Sequence, residues 1–232
     1  RQRQMCIRDR SSAVGFRNKA ASENASAIGY GNNANALAAS AVGYNNTAGG
    51  VGSSTIGYNN TATNENASAF GYGNTAGGLA SSAFGFSNTA SGDNANAFGY
   101  NNIASGSKSN VFGTGNTVSG SSSTAVGTSN EVAAENSTAI GNNNTISSGA
   151  ENSAALGNNI SISLKDSVAL GNNSTATAIN SVTGNSSYTK WAGVSDVVGV
   201  VSVGSSGATR QIQNVAAGQV SATSTDAVNG SQ

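Results

Sequence analysis

The chain contains no histidine and no proline, and cysteine, methionine and tryptophan occur once each, as Cys6, Met5 and Trp191. Each scarcity removes a class of function. Without an imidazole there is no base to take a proton from a serine or cysteine nucleophile, so Ser-His-Asp and Cys-His hydrolase arrangements are excluded. Zinc sites built from His and Cys go with them, and a single cysteine in the opening segment cannot close an intrachain disulfide. Only 9% of the 232 residues are charged and 37% are hydrophobic, which argues against a conventional thick core. No run approaches the roughly 18 apolar residues of a membrane-spanning helix, and residues 1–10 lack the apolar stretch of a signal peptide.

Bases and acids balance at 10 each, but Arg1, Arg3, Arg8 and Arg10 sit in the first ten positions with one acid, Asp9. The remaining body carries six bases against nine acids. A mildly acidic body has no cluster of Lys and Arg to displace counterions from phosphates, which speaks against a nucleic-acid partner. The opening decapeptide shares no composition with the rest of the chain. It is set apart from the fold as a foreign segment, a natural basic tail being the alternative.

What is abundant is glycine, 31 residues, set among Asn, Ser, Thr and Ala. Such a composition ordinarily signals low complexity or disorder, but here it is phased. A glycine preceded by an apolar residue recurs every fourteen residues at Gly15, Gly29, Gly43, Gly57, Gly71, Gly85, Gly99, Gly113, Gly127 and Gly141. The step is then sixteen to Gly157 and fourteen to Gly171, which places a two-residue insertion near Ser148 to Asn152. Twelve phased copies are a repeat architecture.

The residue before each glycine is large and apolar, from Val14 and Ile28 through Phe70, Phe84, Phe98 and Phe112 to Leu156 and Leu170. Two before it Ala predominates, with Thr55 and Val111 as exceptions. Five after it stands a second small or branched row, Ala20 to Ala104, then Val118, Val132, Ile146, Ile162 and Ala176. These spacings read as two short strands per copy. Between them, three after the glycine, Asn recurs from Asn18 to Asn144, a residue suited to left-handed corners. Two strands and two turns in fourteen residues make one coil of a flattened solenoid with parallel sheets, in which no coil folds without its neighbours. At about 4.8 Å per strand, twelve coils give a rod about 55–60 Å long. Adjacent strand residues point to opposite faces. Apolar residues at both positions before the glycine therefore leave one row facing outward, which calls for cover by further chains.

Directly after the glycine runs an aromatic row, Phe16, Tyr30, Tyr44, Tyr58, Tyr72, Phe86 and Tyr100, giving way to Thr114, Thr128 and Asn142. Stacking along the sheet is its expected role; a ligand-facing stripe is the alternative. After Ala176 the period fails. Residues 180–206 form a connector that holds Trp191, expected as a packing anchor between subunits, and Gly204 to Gly207 reads as a turn.

The coil motif Ser-Ala-Ile-Gly or Ser-Ala-Val-Gly, at Ser26 to Gly29 and Ser40 to Gly43, resembles the repeat of YadA-like heads in trimeric autotransporter adhesins. Gly207 to Gly218 (Gly-Ala-Thr-Arg-Gln-Ile-Gln-Asn-Val-Ala-Ala-Gly) and Ser224 to Gln232 (Ser-Thr-Asp-Ala-Val-Asn-Gly-Ser-Gln) resemble that family's neck, carried by Arg210, Ile212, Asn214, Val215, Asp226 and Val228. The resemblance implies an all-β, left-handed parallel β-roll over 11–179, a connector at 180–206, and a neck with the start of a stalk helix at 207–232. It further implies a homotrimer of identical chains at the cell surface of a bacterial outer membrane, held there through a C-terminal anchor outside this sequence, and attached to extracellular matrix, host cells, surfaces or sister cells. Thr225 or Ser224 is the expected helix cap. The sixteen-residue copy and the loss of Asn at Ile160 and Ser174 depart from the regular motif.

Other chemistry is sparse. Glu131 with Glu135 and Glu151 with Asp166 pair carboxylates, but glycoside cleavage needs a cleft around them, and turn-exposed charge is the simpler reading. Gly71-Tyr72-Gly73 and Gly113-Thr114-Gly115 do not complete a phosphate loop. Recurrent Asp for calcium is missing, and no cofactor or metal is expected. Sites such as Asn24-Ala25-Ser26 match the glycosylation acceptor only because Asn, Ser and Thr are so frequent. The rival readings are a non-adhesive spacer of a surface or phage fibre and an ice-binding solenoid. The latter wants a regular Thr array, whereas Thr-x-Thr occurs only at Thr61 to Thr63, Thr175 to Thr177 and Thr223 to Thr225, out of any continuous array.

Overall fold

The computed structural model describes residues 10–179 and 197–232; Met5, Cys6 and Trp191 lie outside them. Each of the first eleven copies forms one five-residue strand centred on the apolar residue before its glycine, as in Ser26–Tyr30, the twelfth a three-residue strand, Val168–Leu170, and every copy one two-residue strand, as in Asn33–Ala34. Every strand pairs in parallel with its equivalent one coil away, in a register that sets glycine against glycine, for example Gly29↔Gly43. The long strands make a 13-stranded sheet and the short ones a 12-stranded sheet. Coils are numbered 1 to 12 by their phase glycines, Gly15 to Gly171.

Register survives the sixteen-residue copy. Ile140 pairs with Leu156 and Ile146 with Ile162, so the two extra residues are absorbed in the wide turn between Ile146 and Ser153. There Ala150 N–H donates to Ser147 C=O at 2.9 Å. A thirteenth rung comes from residues that the repeat period places in the connector. Val201–Ser202 pairs with Val168 and Ala169, and Val200 packs on the end of the core.

The interior is thin. The Ala row two before the glycine and the row five after it are almost entirely buried, and the largest fully buried apolar side chains are Ile146, Ile160, Ile162, Val111, Val118 and Val132. The apolar cluster is interrupted at coil 4, between Ala48 and Ala62, where Ser53 and Thr55 occupy buried positions.

The expectation that the Asn row sits in left-handed backbone is corrected. Positive φ, 54–68°, falls one residue earlier in each coil, from Arg17 to Asn173, and again nine residues after the glycine in most coils, as at Asn24 and Asn66. The asparagines themselves point inward. Asn46 Nδ2 donates to Asn32 Oδ1 (3.0 Å), to Val42 C=O (3.0 Å) and to Gly57 C=O (2.7 Å), while Asn46 Oδ1 accepts the backbone N–H of Asn60 at 2.9 Å. The phase glycine explains the need. Gly43 has φ +120°, and a Cβ there would lie 2.1 Å from Gly57 C=O, so only glycine fits. The Gly57 carbonyl accepts from the Asn46 amide inside the coil, and an unsatisfied carbonyl there would carry a desolvation penalty. Glycine and asparagine are thus one device, repeated from Asn18 to Asn144.

After Asn144 the device ends. Ile160 takes the position and lies beside Ile146 and Ile162 in the core, its N–H still donating to Asn144 Oδ1 at 3.0 Å. A serine ladder runs through the same coils. The hydroxyls of Ser123, Ser137, Ser153 and Ser167 accept the N–H groups of Ser137, Ser153, Ser167 and Val200 at 3.0–3.1 Å.

Candidate interaction surfaces

Alternation along the long strand decides which rows face out. The Ala row turns inward, and the residues before and after the glycine lie on the outer face of the 13-stranded sheet, where the positive-φ glycine between them is itself exposed or half-exposed. The first of these columns is apolar in all twelve coils; Val14, Ile28, Ile56, Phe112, Ile140 and Leu156 are all more than 40% exposed. Phe70, Phe84, Phe98 and Phe112 stack within it at 4.8–5.3 Å between ring centroids. Single exposed apolar side chains are ordinary, but a continuous column is the mark of an interaction surface.

The second column is the aromatic row. Phe16, Tyr30, Tyr44, Tyr58, Tyr72, Phe86 and Tyr100 form one unbroken stack with centroids 4.8–5.4 Å apart and planes within 25° of parallel. The Arg17 guanidinium lies 5.2 Å from the Phe16 ring centroid, a cation–π contact at the stack's free end. The stack also leaves an exposed margin, since Tyr30, Tyr44, Tyr58, Tyr72 and Tyr100 are all exposed. From Thr114 onward the column is polar, and Asn142 with Asn158 extends it as an amide ladder.

The opposite sheet is polar outside. Its outward positions include Thr47, Thr61, Thr75 and Thr89 in four successive coils, interrupted by Ile103 and Glu131. The wide turns carry the charge, at Glu23, Glu65, Asp93 and Lys108. Among the described residues no group of three or more His, Cys, Asp or Glu is placed to hold a metal.

At the far end, Arg210 reaches back over the last coil. Its guanidinium donates to Val203 C=O at 2.7 Å, to Ser174 Oγ at 3.3 Å and to Asn172 C=O, and it packs against Gly171. The concavity of about 750 Å³ beside it, lined by Thr175, Val200, Ser202 and Gly204, is bounded by the guanidinium so engaged. The other positions that the resemblance assigns to a neck form a small closed loop. Asn214 has φ 61°, Asn229 Nδ2 donates to Val215 C=O at 3.2 Å, and Gln219 N–H donates to Asp226 Oδ2 at 3.0 Å. Ile212 and Val228 stay exposed. The helix expected from Ser224 is not present, although Ser224 Oγ accepts the Asp226 N–H at 3.2 Å as a capping hydroxyl would. On a single chain the segment has no partner to pack against, and most helical stability comes from such packing.

The twelve phase glycines stand in one column along the long strands, exposed or half-exposed and none of them buried. The sequence left open which of the two apolar rows faces out; the structure buries the Ala row and exposes the larger residue before the glycine. The sequence did not mark the left-handed positions either, because Arg, Asn, Ser and Gly all occupy them.

Among curated proteins none matches the chain. Among solved structures, the C-terminal YadA-like domain of a Burkholderia pseudomallei protein is similar, with 28% identity over 50% of this chain and a TM-score of 0.31; the match spans 46% of that domain's chain. The family model described as the YadA head domain repeat matches residues 9–32, 20–46, 48–74, 76–102, 119–144 and 165–182. These segments together take in more than half of the sequence and fall on the coils, and the chain belongs to the YadA head family.

Proposed function

We propose that the chain is the adhesive head of a trimeric surface protein. Three identical copies pack side by side through the apolar column of the 13-stranded sheet, and the polar sheet and wide turns face outward. The observation that carries this reading is the apolar column itself. It runs the whole length of a coil stack whose interior is already closed, so cover for it has to come from outside the chain. The apolar strip, twelve rungs of the first column and seven of the second at about 4.8 Å per rung and about 7 Å per column, is on the order of 600 Å². That lies at the upper end of the roughly 300–600 Å² patch typical of monomers and runs as one continuous band along the rod.

In the assembled state the exposed neck residues Ile212 and Val228 are covered by the other copies, and the segment after Ser224 opens the stalk helix once three chains supply its packing. Outward-facing Thr, Ser and Asn, repeated coil after coil, offer many weak equivalent contacts. Joined on one rigid rod, these gain effective concentration without any single strong site. Matrix proteins, host cells, abiotic surfaces and sister cells are the proposed targets, with the head held outside the bacterial outer membrane by parts of the protein beyond this sequence.

The test is a binding screen of the full chain, in its trimeric form, against immobilised matrix proteins, intact cells and itself. Saturable binding that falls at least tenfold on dissociation to single chains supports the adhesive reading. A trimer that binds none of these is a spacer.

A further inference from the structure

Within the described residues nothing but the running chain ties one coil covalently to the next, since Cys6 lies outside them. Cysteine and methionine sulfur, common targets of oxidants, are absent from these residues, as are histidine and tryptophan. The readily oxidised side chains of the described rod are therefore its five tyrosines, Tyr30, Tyr44, Tyr58, Tyr72 and Tyr100, all in one column and all exposed.

The five phenols are not equivalent. Tyr30, Tyr44, Tyr58 and Tyr72 occupy four successive coils, with ring centroids 4.8–5.0 Å apart and planes within 5° of parallel. The strand register sets each directly against the next, so the ring carbons beside one hydroxyl stand next to those of the following phenol. Loss of one electron and one proton turns a phenol into a phenoxyl radical, whose unpaired electron is shared between the oxygen and these ortho carbons. Two such radicals held side by side couple through them. At the near end the Tyr30 hydroxyl accepts from the Arg17 guanidinium at 3.3 Å, a bond that leaves the phenol its own proton to lose. Tyr100 shares the column and the exposure but has no phenol beside it. Phe86 lies between it and Tyr72, at 5.2 Å and 4.8 Å between centroids, and Thr114 follows it in register. A ring without a hydroxyl forms no phenoxyl radical.

We infer that the tyrosine stack of coils 2 to 5 is a site of oxidative cross-linking, at which hydrogen peroxide, acting through a haem peroxidase, joins successive phenols of one chain as dityrosine. Each phenol gives up one electron and one proton, the two ortho carbons bond, and the hydrogen left on each carbon returns to its oxygen. The net change exchanges two C–H bonds for one C–C bond, while the peroxide takes up the two electrons and two protons and leaves as two waters. The links tie together coils whose inner row, Ala34 to Ala76, is the smallest in the rod.

The experiment treats the full chain with a haem peroxidase and hydrogen peroxide. Dityrosine is read by its fluorescence, the products are sized on a denaturing gel, and the linked peptides are mapped. The expected result is dityrosine within single chains, mapped to Tyr30 with Tyr44, Tyr44 with Tyr58 and Tyr58 with Tyr72, and Tyr100 unlinked within its chain. Two variants that keep a ring at every rung sharpen this. Phe86→Tyr is expected to bring Tyr100 into the linked set, and Tyr58→Phe to leave Tyr30 with Tyr44 as the one coupled pair. Circular dichroism of both variants checks that the β-sheet is kept. Absence of dityrosine from the folded chain, coupling of Tyr100 within the unaltered chain as readily as the other four, or products formed between chains alone overturns the inference.

Discussion

Coils 1 to 7 and coils 8 to 12 share one backbone and one register, yet they place their bulky side chains on opposite sides of it. In the first group the row five after the glycine is Ala throughout, and the outer face carries the aromatic stack. In the second the same inner row holds Val118, Val132, Ile146 and Ile162, the serine ladder threads the interior, and the outer column becomes Thr and Asn. An Ile in place of an Ala adds three buried carbons, roughly 2.4 kcal/mol per coil at about 0.8 kcal/mol per methylene. The neck-side coils therefore draw stability from within. The far coils, whose inner row is Ala throughout, gain ring stacking on the outer face instead.

That contrast can be broken in graded ways. The largest effect is expected where the two regions are alike. Gly85→Val and Gly127→Val both drive a side chain into the next coil's carbonyl, since even a Cβ would stand 2.2 Å and 1.9 Å from it. Each is expected to cost more than about 4 kcal/mol, read as loss of the β-sheet circular dichroism signal. The regions separate at the next level. Ile146→Ala opens a cavity in the neck-side core and is expected to cost about 3 kcal/mol. Enlarging the far core with Ala48→Ile overpacks it, at about 2 kcal/mol. Urea midpoints of the two variants check both; a stabilised Ala48→Ile would mean that the far interior is looser than described.

Asn88→Ala strips the Phe84 and Gly99 carbonyls and the Asn102 N–H of their partner. It is expected to cost about 2 kcal/mol, with amide exchange accelerating first in the coils on either side. The smallest change is Tyr58→Ser, which removes two stacking contacts and costs about 1 kcal/mol in the chain's own stability. Thr128→Tyr, whose neighbours Thr114 and Asn142 offer no ring, is expected to gain nothing. A matching gain there would show that aromatic side chains stabilise any coil, not a stack.

Much of this contrast is written plainly in the sequence. Period, strand content and parallel pairing follow from which residue types recur at fixed distance from the glycine, whereas two adjacent apolar rows leave open which of them faces out until the structure buries the Ala row. The asparagine row is ambiguous in sequence for a physical reason. Asn is favoured both at left-handed corners and as a buried amide, and only the neighbouring glycine, whose carbonyl takes the Asn amide inside the coil, tells the two apart. Arg17, Ser87 and Ser129 in left-handed backbone carry no composition signal at all. The thirteenth rung, Val201–Ser202, likewise has no repeat phase to announce it; it forms because the last coil presents an open edge and Val200 a side chain to cover the core. Arg210 is singled out in the sequence by resemblance alone, and its hold on Asn172, Ser174 and Val203 depends on where the chain returns.

The most direct test is the mass of the chain in solution beside a variant that makes the central apolar column polar, Ile56→Ser with Phe70→Ser and Phe84→Ser. These side chains lie outside the coil interior, so the variant is expected to keep its β-sheet circular dichroism. Sedimentation equilibrium is expected to give three chains for the unaltered protein and one for the variant. An unaltered chain that sediments alone with its apolar column bare, or a variant that still assembles as three, contradicts the account.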